Sequence, residues 1–184
     1  MVFGMLRILL VALVAAAPAV AAAESTGDWD PQNLRGLYAA IGGGGAWMFV
    51  PGDDNVAYDV EIRVGYSVTP ALQAYVSGAL DGASLSGGTF RTEQILASLQ
   101  YHLVLKRELM IYARAGVGVG LSRDLVPDST AKGLSEAAGI GVEIPVAPNL
   151  FVAPELFYRH TSLSANQTDL RVQVVGLQLN LTYY

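Results

Sequence analysis

Apolar and polar side chains alternate along most of the chain from residue 37 onward, the period expected of half-buried strands. The clearest run is 58–67: Tyr58, Val60, Ile62, Val64 and Tyr66 share one face, and Asp59, Glu61, Arg63, Gly65 and Ser67 the other. After a turn at Thr69-Pro70, Leu72, Ala74, Val76 and Leu80 oppose Gln73, Tyr75, Ser77 and Asp81. Ile95, Ala97, Leu99, Tyr101 and Leu103 then oppose Gln94, Ser98, Gln100 and His102. The same alternation returns in 109–120, 134–144, 150–159 and 177–184. With 37–49 as the first, this predicts eight strands, the smallest even number for a single-chain membrane barrel. Two places resist the pattern. Val174-Val175-Gly176 changes phase, which predicts a bulge near Gly176. Pro154 falls inside the seventh strand, where it removes a ladder donor and predicts a second local bulge.

The alternation leaves open which face is outside. Three features place the apolar face outward. Connectors alternate in length: short turns after strands two, four and six, and longer segments at 50–57, 82–90, 122–132 and 160–168. Short turns at one end and long loops at the other are what a membrane barrel shows. Aromatics on the apolar face gather at strand ends, with Trp47, Tyr58 and Tyr158 at the loop end and Tyr66, Tyr101 and Tyr183 at the turn end. These read as two interfacial girdles around a belt of Val, Ile, Leu and Ala. The polar face is poor in charge and rich in glycine (Gly116, Gly118, Gly120, Gly139, Gly141), which suits a narrow lumen better than a soluble surface. Its charges, Asp59, Glu61, Arg63, Arg114, Glu143, Glu155 and Arg159, must pair if they are enclosed, and are expected to form a network that closes the lumen.

Composition supports this reading. Of 184 residues, 52% are hydrophobic and only 15% charged, against roughly 25% charged in an ordinary soluble domain. A net charge of −5 without a basic patch argues against nucleic-acid binding. The absence of cysteine excludes disulfide scaffolds and thiol chemistry, and two histidines, His102 and His160, make a histidine-rich metal site implausible. Residues 1–23 read as a cleaved signal peptide: Arg7, an apolar stretch at 8–14, then Ala21-Ala22-Ala23. The polar stretch 24–35 reads as a flexible periplasmic lead-in, and 36–184 as the barrel. Asp53-Asp54 and the Asp28/Asp30 pair lack calcium-loop spacing, and the glycines at 42–45 lack the lysine of a phosphate loop. No metal or cofactor is expected. Asn166-Gln167-Thr168 fits a glycosylation sequon, to which no role is assigned.

The segments Gly36-Leu37-Tyr38-Ala39-Ala40, Ile111-Tyr112-Ala113-Arg114-Ala115-Gly116-Val117-Gly118-Val119-Gly120, Ala138-Gly139-Ile140-Gly141-Val142-Glu143 and Asn149-Leu150-Phe151 resemble the outer-membrane β-barrel family of opacity-type surface proteins and the transmembrane domain of outer membrane protein A. The resemblance covers about 36–184. It implies an all-β, eight-stranded antiparallel up-and-down transmembrane barrel in the outer membrane of a Gram-negative bacterium, and speaks to fold and location rather than activity. The role expected of such a barrel here is structural or surface-interaction, with no catalysis. Implied partners are outer-membrane lipids and lipopolysaccharide, the barrel-assembly machinery that reads a C-terminal aromatic, and a host or surface ligand. Tyr184 is the last residue, whereas Tyr183 shares the apolar phase of Leu179 and Leu181. Two alternatives stand beside this role. One is a small low-conductance channel. The other rests on His160 and Ser162, which resemble part of the His-x-Ser-Asn motif of the outer-membrane lipid A deacylases. Leu163 stands where that motif has asparagine, Asp169 is the nearest downstream acid, and Glu155 lies one strand-length back. A base beside a hydroxyl, oriented by an acid, is the arrangement that attacks an ester.

Overall fold

The computed structural model describes residues 34–86, 88–106, 108–126, 129–165 and 168–184. The signal peptide, nearly all of the lead-in, Asp28, Asp30, Asn166 and Gln167 lie outside the described residues. Eight strands follow one another: β1 (Gly36–Val50), β2 (Asp53–Ser67), β3 (Leu72–Leu85), β4 (Gly88–Leu105), β5 (Met110–Val126), β6 (Ser129–Ala147), β7 (Leu150–Ala165) and β8 (Thr168–Tyr183). Each pairs antiparallel with its sequence neighbours, and β1 pairs with β8, closing the barrel. Closure removes every open sheet edge, which a lipid environment requires.

The pleat sorts side chains by wall. Leu37, Ile41, Val60, Val76, Leu99, Val117, Ile140, Leu156 and Leu177 stand exposed on the outer wall, while Gln73, Ser77, Gln100, Arg114, Glu155 and Asn180 are buried inside. The barrel is therefore apolar outside and polar inside through its middle. Trp47, Tyr58, Tyr66, Tyr101 and Tyr158 are exposed on the outer wall, and Tyr183 is partly exposed there.

The segments expected as long loops are strand instead. At the β1–β2, β3–β4, β5–β6 and β7–β8 junctions the strands run on to Val50 and Asp53, Leu85 and Gly88, Val126 and Ser129, and Ala165 and Thr168. In these extensions the inner face turns apolar, while the outer face mixes charged and polar residues with Trp47, Phe49 and Val56. Met48, Phe90, Phe157, Leu163, Val172 and Val174 pack inward with Ala46, Ala57, Ala83 and Ala131 as an apolar cluster. Arg91, Lys132, Arg171 and Gln173 face out. A chain that leaves lipid for water must bury its apolar face inside, so the alternation continues with its meaning reversed. The tips are tied together as well. Asp53 accepts hydrogen bonds from the Ser86 amide (2.8 Å) and hydroxyl (2.7 Å), and Asn55 donates to the Ser84 carbonyl at 2.5 Å. Those Ser86 donors hold the Asp53 carboxyl below the usual carboxylate range.

The inversion also accounts for Val174-Val175. Val174 belongs to the inner cluster and Val175 to the outer wall, and β8 pairs through Gly176 with both neighbours without a register shift. Pro154 faces outward in register with Leu179. The β6–β7 ladder is interrupted beside it and resumes in the same register at Ile144–Val152, so no bulge forms there. The register shifts fall between His102 and Val104, between Ser122 and Val126, and between Pro145 and Ala147. The last two adjoin hairpin connectors, as does Asn149, whose positive φ of 61° completes the two-residue β6–β7 turn.

Candidate functional site

The lumen is built in layers, and register places each side chain. Asp59 and Asp81 are direct cross-strand partners of β2 and β3, with Glu61 and Arg63 following at alternate positions of β2. On the far wall, Arg114 of β5 pairs with Gly139 of β6, and Gly141 pairs with Glu155 of β7. Gly139 leaves the space over β6 in which Arg114 and Glu155 meet, and Gly141 leaves the space that the Tyr112 ring occupies. A Cβ on Gly139 would lie 2.9 Å from Arg114 Nε and 3.1 Å from Glu155 Oε1. The glycine-rich inner face is thus the shape complement of an ion-pair network.

At the centre, Glu61 Oε2 accepts from Arg63 Nη2 (2.9 Å), Arg114 Nη2 (2.9 Å), Arg159 Nη2 (2.8 Å) and Gln178 Nε2 (3.2 Å). Glu155 Oε1 accepts from Arg63 Nη2 (2.9 Å), Arg114 Nε (2.7 Å) and Gln178 Nε2 (2.8 Å), and its Oε2 from the Tyr112 hydroxyl (2.6 Å). Arg159 carries the network toward the tips. Its Nη1 donates to Asp59 (2.5 Å) and to Asp81 (2.7 Å), and its guanidinium lies 4.4 Å from the centre of the Phe157 ring. Asp81 in turn accepts from Gln94 at 2.8 Å, which accepts from Ser135 at 2.9 Å. Above this layer lies the apolar cluster.

Glu143, expected in the same network, instead makes its bonds near the turn end, where it meets His102 Nε2 (3.0 Å) and the Tyr184 hydroxyl (2.8 Å). Tyr184 turns inward, stacks on Tyr38 (5.6 Å between ring centres) and meets Phe151 edge-on at 5.2 Å. Alternation marks the inner face but not which side chains meet across the lumen. Asp81, Tyr112, Gln178 and His102 therefore escape a sequence-based choice of network members, although each shares the inward phase.

The lumen side chains Glu61, Asp81, Arg159 and Glu155 are essentially without solvent exposure. Enclosed charges survive only when paired, since breaking such a pair costs about 3–5 kcal/mol. Polar layers occupy the middle of the lumen, aromatic rings lie near one end, and an apolar cluster that includes Phe90 and Phe157 lies near the other.

A second group lies outside. His160 and Ser162 belong to the outward phase of β7, the next outward positions after Tyr158. Their side chains meet, His160 Nε2 to Ser162 Oγ at 3.1 Å. Asp169 does not join them; its carboxylate accepts from Ser164 Oγ at 2.5 Å. Glu155, also considered as the acid, points into the lumen. Among the described residues, no cluster of His, Asp and Glu is placed to hold a metal ion.

Comparison with known proteins agrees with this architecture. The structure is similar to Neisserial surface protein A (NspA), at 16% identity and a TM-score of 0.65, covering 79% of this chain and 96% of that one. It is also similar to the outer membrane enzyme PagL, at 14% identity and a TM-score of 0.53, covering 78% and 97%. The outer membrane protein OprG from Pseudomonas aeruginosa aligns at 12% identity and a TM-score of 0.50, covering 83% and 99%. No curated protein matches the sequence. At such identities these likenesses speak to the fold alone. The sequence family is a separate finding, since the model for the outer membrane protein β-barrel domain matches residues 8–183. The chain belongs to the outer-membrane protein β-barrel domain family.

Proposed function

We propose that this outer-membrane barrel is closed to solutes and acts through its outside, as a structural or surface-interaction protein of the Gram-negative envelope. The observation that carries this reading is the filled lumen: three arginines, Arg63, Arg114 and Arg159, bridge opposite walls through Glu61, Glu155, Asp59 and Asp81. In this reading residues 1–23 are a cleaved export signal, the turn end faces the periplasm and the paired hairpin tips face outward. Tyr183, whose phase is outward, is the aromatic offered to the assembly machinery, while Tyr184 closes the lumen. Lipopolysaccharide and outer-leaflet lipids surround the wall, and the tips meet a host or surface ligand. Reconstitution in planar bilayers tests the closed lumen. The expected result is no discrete conductance; steps that change in Arg114→Ala would replace this reading with that of a small channel.

A second reading has one specific observation in its favour. The 3.1 Å bond between His160 and Ser162 joins a base to a hydroxyl on the outer wall, beside the aromatic girdle. In this reading the barrel cleaves an ester of an outer-leaflet lipid. Comparing lipid A by mass spectrometry with and without overexpression tests it. Loss of an acyl chain supports the reading, and an unchanged spectrum removes lipid A as its substrate.

A further inference from the structure

The register of three neighbouring strands adds an acid and a cation to the serine–histidine pair, so the extended site rests on the esterase reading of that pair. His160 of β7 is the cross-strand partner of Glu136 on β6. Ser162 is the partner of Arg171 on β8. Glu136 and Arg171 are both exposed, and direct cross-strand partners share one side of a sheet, so all four residues stand on the outer wall. Cross-strand partners have Cβ atoms about 4.5–5.5 Å apart, within reach of these long side chains.

Two details give this juxtaposition chemical meaning. Glu136 interrupts an otherwise apolar outer run on β6 between Leu134 and Ala138. Nδ1 of His160, the nitrogen turned away from Ser162, is enclosed without a hydrogen-bond partner. An acid thus stands across the ladder from a base whose second nitrogen needs an acceptor. On the other side, Arg171 makes no ion pair among the described residues, although it lies across the ladder from the hydroxyl.

We propose that Glu136, His160, Ser162 and Arg171 form an outward-facing ester-hydrolysis site for a membrane amphiphile, with Glu136 in the orienting place that Asp169 does not fill. Glu136 is a positioning residue. In the reactive arrangement its carboxylate turns to accept from His160 Nδ1–H, a bond the structure does not yet make, and so leaves Nε2 free to act as base. The Ser162 hydroxyl attacks the ester carbonyl carbon as His160 Nε2 takes its proton, and the carbonyl oxygen becomes an oxyanion beside the Arg171 guanidinium. The bond from carbon to the alcohol oxygen breaks, and His160 returns the proton to the departing alcohol. Water then adds to the acyl-Ser162 carbonyl with His160 again as base, releasing the carboxylic acid and restoring the serine. Because the site faces outward next to Tyr158 and above Leu156, its substrate enters from the membrane surface with its acyl chain along the aliphatic wall.

The full chain in detergent micelles, assayed with p-nitrophenyl decanoate and with a fluorophosphonate that labels activated serines, tests this. Wild type is expected to hydrolyse the ester and take the label, and Ser162→Ala and His160→Ala to do neither. Glu136→Gln is expected to lower kcat on the order of 10²-fold with KM unchanged, and Glu136→Asp to recover part of the loss. Arg171→Met is expected to lower kcat by a similar order while Asp169→Asn leaves it unchanged. Far-ultraviolet circular dichroism confirms that each variant retains the barrel. Wild type without hydrolysis or labelling, or hydrolysis that persists in Ser162→Ala, overturns both the serine–histidine reading and this extension. An active wild type whose kcat survives Glu136→Gln overturns the role of Glu136 alone.

Discussion

Arg159→Met is the sharpest probe of the lumen. Arg159 has no solvent exposure and binds three carboxylates, Asp59, Asp81 and Glu61. Methionine keeps an unbranched apolar stem of similar reach and removes the charged head, including the guanidinium that lies over the Phe157 ring. The three carboxylates do not suffer alike. Glu61 keeps Arg63 and Arg114, whereas Asp59 and Asp81, cross-strand partners whose carboxyl groups hydrogen-bond each other, lose the cation they share, and Asp81 keeps Gln94 and Thr92 as donors. Two enclosed acids are thus left without a counter-charge, and the substitution is expected to destabilise the barrel by about 3–5 kcal/mol. Urea unfolding in lipid vesicles, followed by tryptophan fluorescence, reads the change. The same physics makes a second demand. Adding Asp59→Asn and Asp81→Asn to Arg159→Met removes the stranded charges, so the triple variant is expected to regain more than half of the loss. Arg159→Met within about 1 kcal/mol of wild type, or a triple variant less stable than the single one, would show that the buried charges are not held by Arg159.

Adjacent glycines of β1 make a paired test. A Cβ on Gly44 would lie 2.6 Å from the Gln178 Cα of β8, so Gly44→Ala is expected to destabilise by about 1–3 kcal/mol in the same unfolding assay. Gly45 has open space outside, and Gly45→Ala is expected to be neutral or stabilising by about 0.4–1 kcal/mol. At the tips, the Asp53 carboxyl is held low by Ser86, so its contribution is in place at neutral pH and is lost as pH falls through that lowered value. Hydrogen exchange at the Ser86 amide is expected to quicken on acidification beyond its intrinsic pH dependence, and Asp53→Asn to abolish that excess.

The strands through the lipid belt are legible in the sequence because one rule, apolar out and polar in, holds on β4 from Gln94 to Leu103 at every position but Leu96, which is buried inward, and through similar runs on the other strands. The tips are not, because Phe90, Leu163 and Val172 obey the opposite rule once the wall leaves lipid. Read with the wrong sign, a continuing strand looks like a loop. The inner face is legible as a set, but its pairings are not. Asp81 and Arg159 are 78 positions apart and meet only because the barrel closes. Glu143 carries the phase of the central acids yet sits near Tyr184 and His102, a separation along the axis that alternation does not encode. The outer pair His160 and Ser162 is visible from spacing. Glu136 is not, because its neighbour across the ladder is set by register between strands.

The closed lumen and the outward site both depend on the direction of the two walls, and oxygen collision measured by electron spin resonance reads that direction residue by residue. The chain has no cysteine, so spin labels can be placed singly on β4 in a bilayer. Expected is a period of two, with high oxygen contact at Ile95, Ala97, Leu99 and Tyr101 and low contact at Gln94, Leu96, Ser98 and Gln100. The opposite phase would put the polar residues against lipid and overturn the architecture.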